Sequence, residues 1–82
     1  MTLDLDGPDP LYEQIAVILA ARIEDGTYPV RRRIPSEAGI VEEFGVSRPT
    51  ARAAVQRLVE QGLVMTVRGK GSFVVDRAEP SE

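Results

Sequence analysis

The apolar residues near the start of the chain follow a helical spacing. They recur every three or four positions and share one face of a helix: Tyr12, Ile15, Ala16, Leu19 and Ile23. This spacing predicts a first helix that Asp9 caps, that has Pro10 at its first position and that Gly26 ends. Two adjacent apolar residues, Val17 and Ile18, fall outside this stripe, which favours packing against another subunit or domain.

A second and a third helix are predicted on either side of a sharp turn. Ser36 is placed to cap a helix that runs to about Phe44, with Ile40 and Val41 on its buried side. Gly45 supplies the positive φ that the turn needs. The third helix begins after the cap residue Ser47 and has an apolar inner face: Ala51, Ala54, Val55 and Leu58.

Two β-branched runs, 63–67 and 72–75, follow the third helix and predict a hairpin. The turn between them, residues 68–71, holds two glycines and two cations. The order of helix, loop, helix, turn, helix and hairpin describes a winged helix-turn-helix. This fold is α+β and mainly helical, and residues 68–71 form its wing.

The loop before the second helix is bounded by Pro29 and Pro35. We expect an extended piece at Arg33 and Ile34, which would give a short third strand. Three consecutive cations, Arg31 to Arg33, lie in this loop. Contact with phosphate and a solvated loop are equally good interpretations of them.

Composition excludes several classes of function. The 82 residues allow one small domain, and the absence of cysteine and histidine excludes disulfides, thiolate metal sites and imidazole catalysis. The carboxylates show no pairing for acid–base work, so we predict no enzyme, no metal and no cofactor. No apolar run approaches the roughly 18 residues of a membrane span, and no signal peptide is visible. We therefore expect no membrane partner and a cytoplasmic location.

The net charge of −3 is distributed unevenly. Residues 1–10 carry three aspartates and no cation, and residues 76–82 carry a charge of −2. Residues 47–75, in contrast, hold five Lys and Arg against one Glu. Cations concentrated on the third helix and the wing indicate a polyanionic partner, and double-stranded DNA is the one that suits this order of elements.

The start of the third helix carries the most specific signal. Arg48 and Arg52 are four residues apart and therefore share a helix face. An arginine fork pairs with guanine in the major groove or binds phosphate, although surface arginines are often merely solvated. We predict Thr50 as a DNA contact, Ser47 mainly as the cap with a secondary phosphate contact, and Pro49 in the first turn as a further DNA contact.

The wing supplies a second group of candidate contacts. Arg68 and Lys70 flank Gly69, whose missing side chain lets the backbone approach the minor groove closely. An ordinary polar hairpin turn is the alternative interpretation. This turn directly follows the third helix, residues 47–61, which we predict to be the recognition helix in the major groove, and that position favours the DNA contact.

Six short motifs identify a family that the sequence resembles. In chain order they are Pro10-Leu11-Tyr12-Glu13-Gln14-Ile15-Ala16, Ile34-Pro35-Ser36-Glu37, Phe44-Gly45-Val46-Ser47-Arg48, Arg52, Gln61-Gly62-Leu63-Val64 and Gly69-Lys70-Gly71-Ser72-Phe73-Val74. Together they resemble the DNA-binding domain of the GntR family of bacterial transcription regulators, over residues 10–75. The resemblance implies a winged helix-turn-helix that dimerises on a palindromic operator and usually represses. It places DNA contacts on Arg48, Arg52, Ser47, Thr50 and Gly69.

The chain also departs from the family pattern. Val30-Arg31-Arg32 replaces the usual Pro-Gly-Asp, Ala38 replaces a cation that often contacts DNA, and Gly39 stands where an acidic residue is common. Pro49 replaces a Thr or small residue, which we expect to alter the base preference. We expect residues 1–9 to be a flexible lead-in and residues 76–82 a flexible tail or the start of a linker.

Family members normally carry a further C-terminal domain that binds an effector and dimerises. We therefore expect either an excised domain or a short regulator, with a small-molecule effector only if such a domain exists. Two other functions stay open from the sequence. One is a winged-helix protein-interaction module without DNA binding, and the other is the N-terminal domain of a fused aminotransferase-like protein.

Overall fold

A computed structural model describes residues 3–76 of the chain. Three helices precede a two-stranded antiparallel sheet, in the order α1 (Leu11–Glu24), α2 (Glu37–Phe44), α3 (Arg48–Glu60), β1 (Val64–Val67) and β2 (Gly71–Val74). This is the winged helix-turn-helix that the sequence predicts. The predicted tail lies outside the described residues except for Asp76.

The first helix begins one residue later than predicted. Pro10 occupies the N-cap position with a ψ of 151°, and no side chain caps the helix. Asp9 is therefore one position too early to cap, and its backbone carbonyl instead accepts a hydrogen bond of 2.9 Å from Gln14 Nε2. At the other end the helix stops at Glu24, and Gly26, with a φ of 88°, lies in the turn that follows.

The caps of the other two helices are as predicted. Ser36 Oγ accepts from the Gly39 N–H at 3.1 Å, and Gly45 ends α2 in the left-handed conformation with a φ of 66°. Ser47 is the N-cap of α3, and its Oγ accepts from the Thr50 N–H at 3.3 Å. Because the two caps and the glycine are all local, they set where α3 begins whatever packs around it.

The core lies between the three helices and the hairpin. Its largest completely buried side chains are Ile15, Leu19, Ile40 and Leu58. Ile18 is also buried, at 6% exposure, so placing it outside the stripe was wrong. At 100° per residue it lies about 60° from Ile15, within the width of an ordinary buried helix face. Val17 lies on the opposite side and is 65% exposed.

The loop before α2 pairs with the hairpin at the predicted place, but through an isolated β-bridge at Arg33 and not through a third strand, so the sheet stays two-stranded. The backbone of Arg33 forms an antiparallel β-bridge with that of Phe73, and the Ile34 N–H donates to the Ser72 carbonyl at 3.0 Å. The Val74 N–H donates to the carbonyl of residue 32 at 2.9 Å. These bonds attach the loop to the edge of β2 that does not face β1, and so hold the wing in place.

The segment before α1 is hydrogen-bonded to that helix. Gln14 Nε2 donates to the Asp4 carbonyl at 2.8 Å, and Gln14 Oε1 accepts from the Asp4 N–H at 2.6 Å. Leu3 also packs against the core. The Gln14 side-chain amide thus satisfies both backbone polar groups of Asp4, while the flexibility of residues 1–9 stays a prediction.

An arginine joins the end of α1 to the end of α2. The Arg22 guanidinium binds the Glu43 carboxylate through two nitrogens, at 3.1 and 2.5 Å, and donates to the Tyr28 hydroxyl at 2.7 Å. It also lies 5.7 Å from the centre of the Phe44 ring. The bond to Arg22 lowers the pKa of Glu43, and the bond to Glu43 raises the pKa of Arg22. This contact fixes the end of α2, from which the turn to α3 starts.

Candidate nucleic-acid interface

The start of α3 presents one hydroxyl and two positive charges to solvent. The Ser47 hydroxyl donates to Thr50 Oγ1 at 2.9 Å while it accepts from the Thr50 N–H. Its proton is thus used within the cap, whereas the Thr50 proton remains available to an external acceptor such as a phosphate oxygen. Pro49 is exposed in the first turn, where its missing N–H leaves no hydrogen bond unmade.

Arg48 and Arg52 are both exposed on this helix. Within residues 3–76, Arg48 makes no hydrogen bond or ion pair. Arg52 donates from Nε to Glu37 Oε2 at 3.3 Å, yet its side chain keeps 67% exposure. Neither guanidinium is therefore enclosed, and both remain able to meet a ligand.

A third arginine of α3 provides a contrast. Arg57 lies nine residues after Arg48, so it projects about 180° away from it at 100° per residue. It binds Glu13 of α1 at 3.1 Å and lies 3.7 Å from Glu60. Arg48 and Arg52 of α3 thus face solvent, whereas Arg57 forms an ion pair that connects α3 to α1.

The wing is a tight turn with an exposed tip. The Lys70 N–H donates to the Val67 carbonyl at 2.9 Å, and Gly69 has a φ of 80°. Arg68, Gly69 and Lys70 are all exposed. The turn therefore presents two side-chain cations on either side of a bare stretch of backbone.

A groove of about 590 Å³ separates α3 from the wing. Its charged lining residues are three cations and one anion: Arg33, Arg52, Lys70 and Glu37. Gln56 also lines it, one turn beyond Arg52 on the same helix face. Of the predicted contacts, Arg52 of α3 and Lys70 of the wing therefore lie on opposite walls of one groove, while Arg48, Thr50, Arg68 and Gly69 lie outside its lining.

Arg33 is the member of the arginine triplet that reaches this groove. Its Nη1 donates to the Lys70 carbonyl at 3.3 Å. A side chain at Gly71 would bring its Cβ within 3.2 Å of Arg33 Cδ. Arg33 thus lies across the base of the wing, and the close fit depends on the glycine.

Sequence reasoning missed two residues of this surface. Gln56 could have been found, because it follows Arg52 by four positions on an exposed face. Glu37 could not have been found, since nothing in the spacing shows that the turn brings it beside Arg52. Among the residues that the structure describes, no cluster of acidic side chains is placed to hold a metal ion. No described helix combines the length and apolarity that crossing a bilayer requires.

Comparison with known proteins agrees with this geometry. The model of the family described as bacterial regulatory proteins, gntR family, matches residues 11–74. The histidine utilization repressor of Pseudomonas putida is 37% identical over 71 residues, which cover 87% of this chain and 29% of that protein. The transcriptional repressor NagR of Bacillus subtilis is 38% identical over 74 residues, which cover 90% and 30%.

A solved structure extends the likeness to the fold. AraR(DBD) in complex with operator ORX1 superposes with a TM-score of 0.80 at 35% identity, over 92% of this chain and 99% of that one. The chain spans about three-tenths of the length of the curated relatives it matches. The family match covers more than half of the chain, and the fold agrees with it. The chain belongs to the gntR family of bacterial regulatory proteins.

Proposed function

We propose that this chain is the sequence-specific DNA-binding part of a transcription regulator that represses its target. One observation carries the proposal: the exposed Arg48 and Arg52 share one face of a capped helix, and Arg52 lines a groove whose far wall is the cationic wing. Relatives named as repressors, and a similar domain solved on an operator, support it.

In the proposed complex the start of α3 enters the major groove. The forks of Arg48 and Arg52 then reach guanine O6 and N7, which arginine recognises with two parallel hydrogen bonds. The Thr50 hydroxyl, together with the first N–H groups of the helix, faces a phosphate, because a helix N-terminus favours an anion. Pro49 contacts base edges through its ring.

The wing supplies the second contact. Arg68 and Lys70 neutralise phosphates on either side of the minor groove, and Gly69 lets the backbone come close to the groove floor. Since several phosphates are met, binding weakens steeply as salt is added.

The wider arrangement follows the family. Two copies bind a palindromic operator as a homodimer, and an effector acts only through a further C-terminal domain. The binding domain comprises residues 10–75, works in the cytoplasm and catalyses no reaction. The experiment for dimerisation is analytical ultracentrifugation of the chain with and without a palindromic duplex.

Selection of bound sequences from a random duplex pool, followed by fluorescence anisotropy, tests the central proposal. Arg48→Ala should weaken binding to the selected duplex by about 1–3 kcal/mol, the usual value of a base-contacting arginine. Arg57→Ala is the matched control, because Arg57 belongs to the same helix but points to α1. Failure to enrich any sequence, or equal weakening by both substitutions, would contradict the proposal.

A further inference from the structure

Glu37 is the anion on the cationic interface. It is the first residue of α2 and lines the groove between α3 and the wing. A carboxylate at this place repels the phosphates of an approaching duplex, so by itself it lowers affinity. A favourable contribution of Glu37 to sequence discrimination is therefore sought in the group that it contacts.

That group is the guanidinium of Arg52. Glu37 Oε2 accepts from Arg52 Nε at 3.3 Å. The bond engages Nε and not the terminal pair, Nη1 and Nη2. Two parallel N–H groups are what guanine O6 and N7 require. The contact thus orients the fork without occupying the edge that reads a base.

Glu37 is also held more firmly than its partner. Its side chain is 32% exposed, against 67% for Arg52. It belongs to the first turn of a helix whose cap, Ser36, is formed, and the helix N-terminus favours a carboxylate there. An anchored carboxylate beside a long flexible arginine restricts the arginine, and not the reverse.

We infer that Glu37 is a positioning residue that determines sequence specificity by orienting Arg52 toward a guanine. This rests on the proposed function, in which Arg52 reads a base. Glu37 lowers the affinity for every duplex through its charge, while it raises the ratio of operator to random-sequence affinity. These two effects have opposite signs and can be measured separately.

The test compares operator and random-sequence duplexes by fluorescence anisotropy for the parent, Glu37→Ala and Glu37→Gln. Glu37→Ala should bind random duplex about threefold more tightly, because one repulsive charge is lost. The ratio of its operator affinity to its random-sequence affinity should fall about tenfold. This loss is a part of the discrimination that an arginine–guanine pair contributes. Glu37→Gln loses the charge but keeps a side-chain oxygen that accepts a hydrogen bond from Nε. Its operator-to-random ratio should therefore be close to that of the parent.

Glu42→Ala is the matched control. It removes the same charge from an exposed position on the same helix, and within residues 3–76 the ion pair of Arg52 is with Glu37 and not with Glu42. It should leave the ratio within twofold of the parent. A fall in the ratio equal to that of Glu37→Ala would show a general charge effect and overturn the inference.

A double-mutant cycle with Arg52→Ala assigns the mechanism. If Glu37 acts through Arg52, the double variant should have the same ratio as Arg52→Ala alone. Additive losses would mean that Glu37 contacts DNA itself, which contradicts the inference. Thermal unfolding of each variant confirms that the folded fraction is equal. A parent that shows no preference for any duplex refutes the proposed function, whereas a discriminating parent with an unaffected Glu37→Ala refutes only this inference.

Discussion

Removal of the wing cation Lys70 should weaken binding to every duplex and change its salt dependence. Five exposed cations lie on the interface: Arg33, Arg48, Arg52, Arg68 and Lys70. If the two arginines of α3 read bases, three cations meet phosphates in each domain. Each phosphate contact contributes about −0.9 to the slope of log K against log salt, so the parent slope is about −2.7 per domain.

Lys70→Ala should reduce that slope to about −1.8. Between 50 and 200 mM salt the affinity of the parent should fall about 40-fold and that of the variant about 12-fold. The ratio of parent affinity to variant affinity should therefore become about 3.5-fold smaller. Arg48→Ala should behave differently, with a slope near that of the parent and a smaller preference for the operator. Fluorescence anisotropy over a salt series, with operator and random duplexes, measures both quantities. An unchanged slope for Lys70→Ala would refute the assignment of phosphate contacts to the wing.

Three further predictions concern the scaffold that positions the interface. Leu58→Ala should lower the free energy of unfolding by about 2–5 kcal/mol in urea denaturation, because Leu58 is completely buried, and a smaller loss would contradict the described core. Gly71→Ala should lower the melting temperature and weaken DNA binding, since φ is +114° there and the new Cβ would meet Arg33; a neutral result would refute the close fit. Glu43→Gln should cost about 1 kcal/mol or less at neutral pH, because the pair is partly exposed. Arg22 lowers the pKa of the folded Glu43 carboxyl, so this stability is present above the unfolded pKa and is lost as pH falls through the folded one. The difference between parent and variant should therefore vanish in acid, and a constant difference would contradict the ion pair.

Local rules explain why much of α2 and α3 could be predicted from the sequence. Ser36, Gly45 and Ser47 each act through their own backbone neighbours, so their roles are readable without knowing what packs around them. The outward position of Arg52 follows from the helical period in the same way. The predicted site residues of α3 and of the wing are exposed except for the partly buried Thr50, and their contacts with DNA remain a proposal.

Contacts between distant residues account for what the sequence did not show. Glu37 meets Arg52 only because the turn at Gly45 folds α2 back beside α3. Gln14 captures the backbone of Asp4 across ten residues, and no periodicity encodes such a contact. The burial of Ile18 likewise depends on how wide a face of α1 its neighbours cover. That face is wider than the apolar stripe predicted from the sequence.

The central claim is that the start of α3 and the wing meet DNA together. Titration of the isotope-labelled chain with the selected duplex, followed by amide NMR shifts, tests it residue by residue. The account predicts the largest shifts at residues 47–52 and 68–71, with smaller ones around Glu37. Shifts confined to α1 around the exposed Val17, with α3 and the wing unmoved, would contradict it.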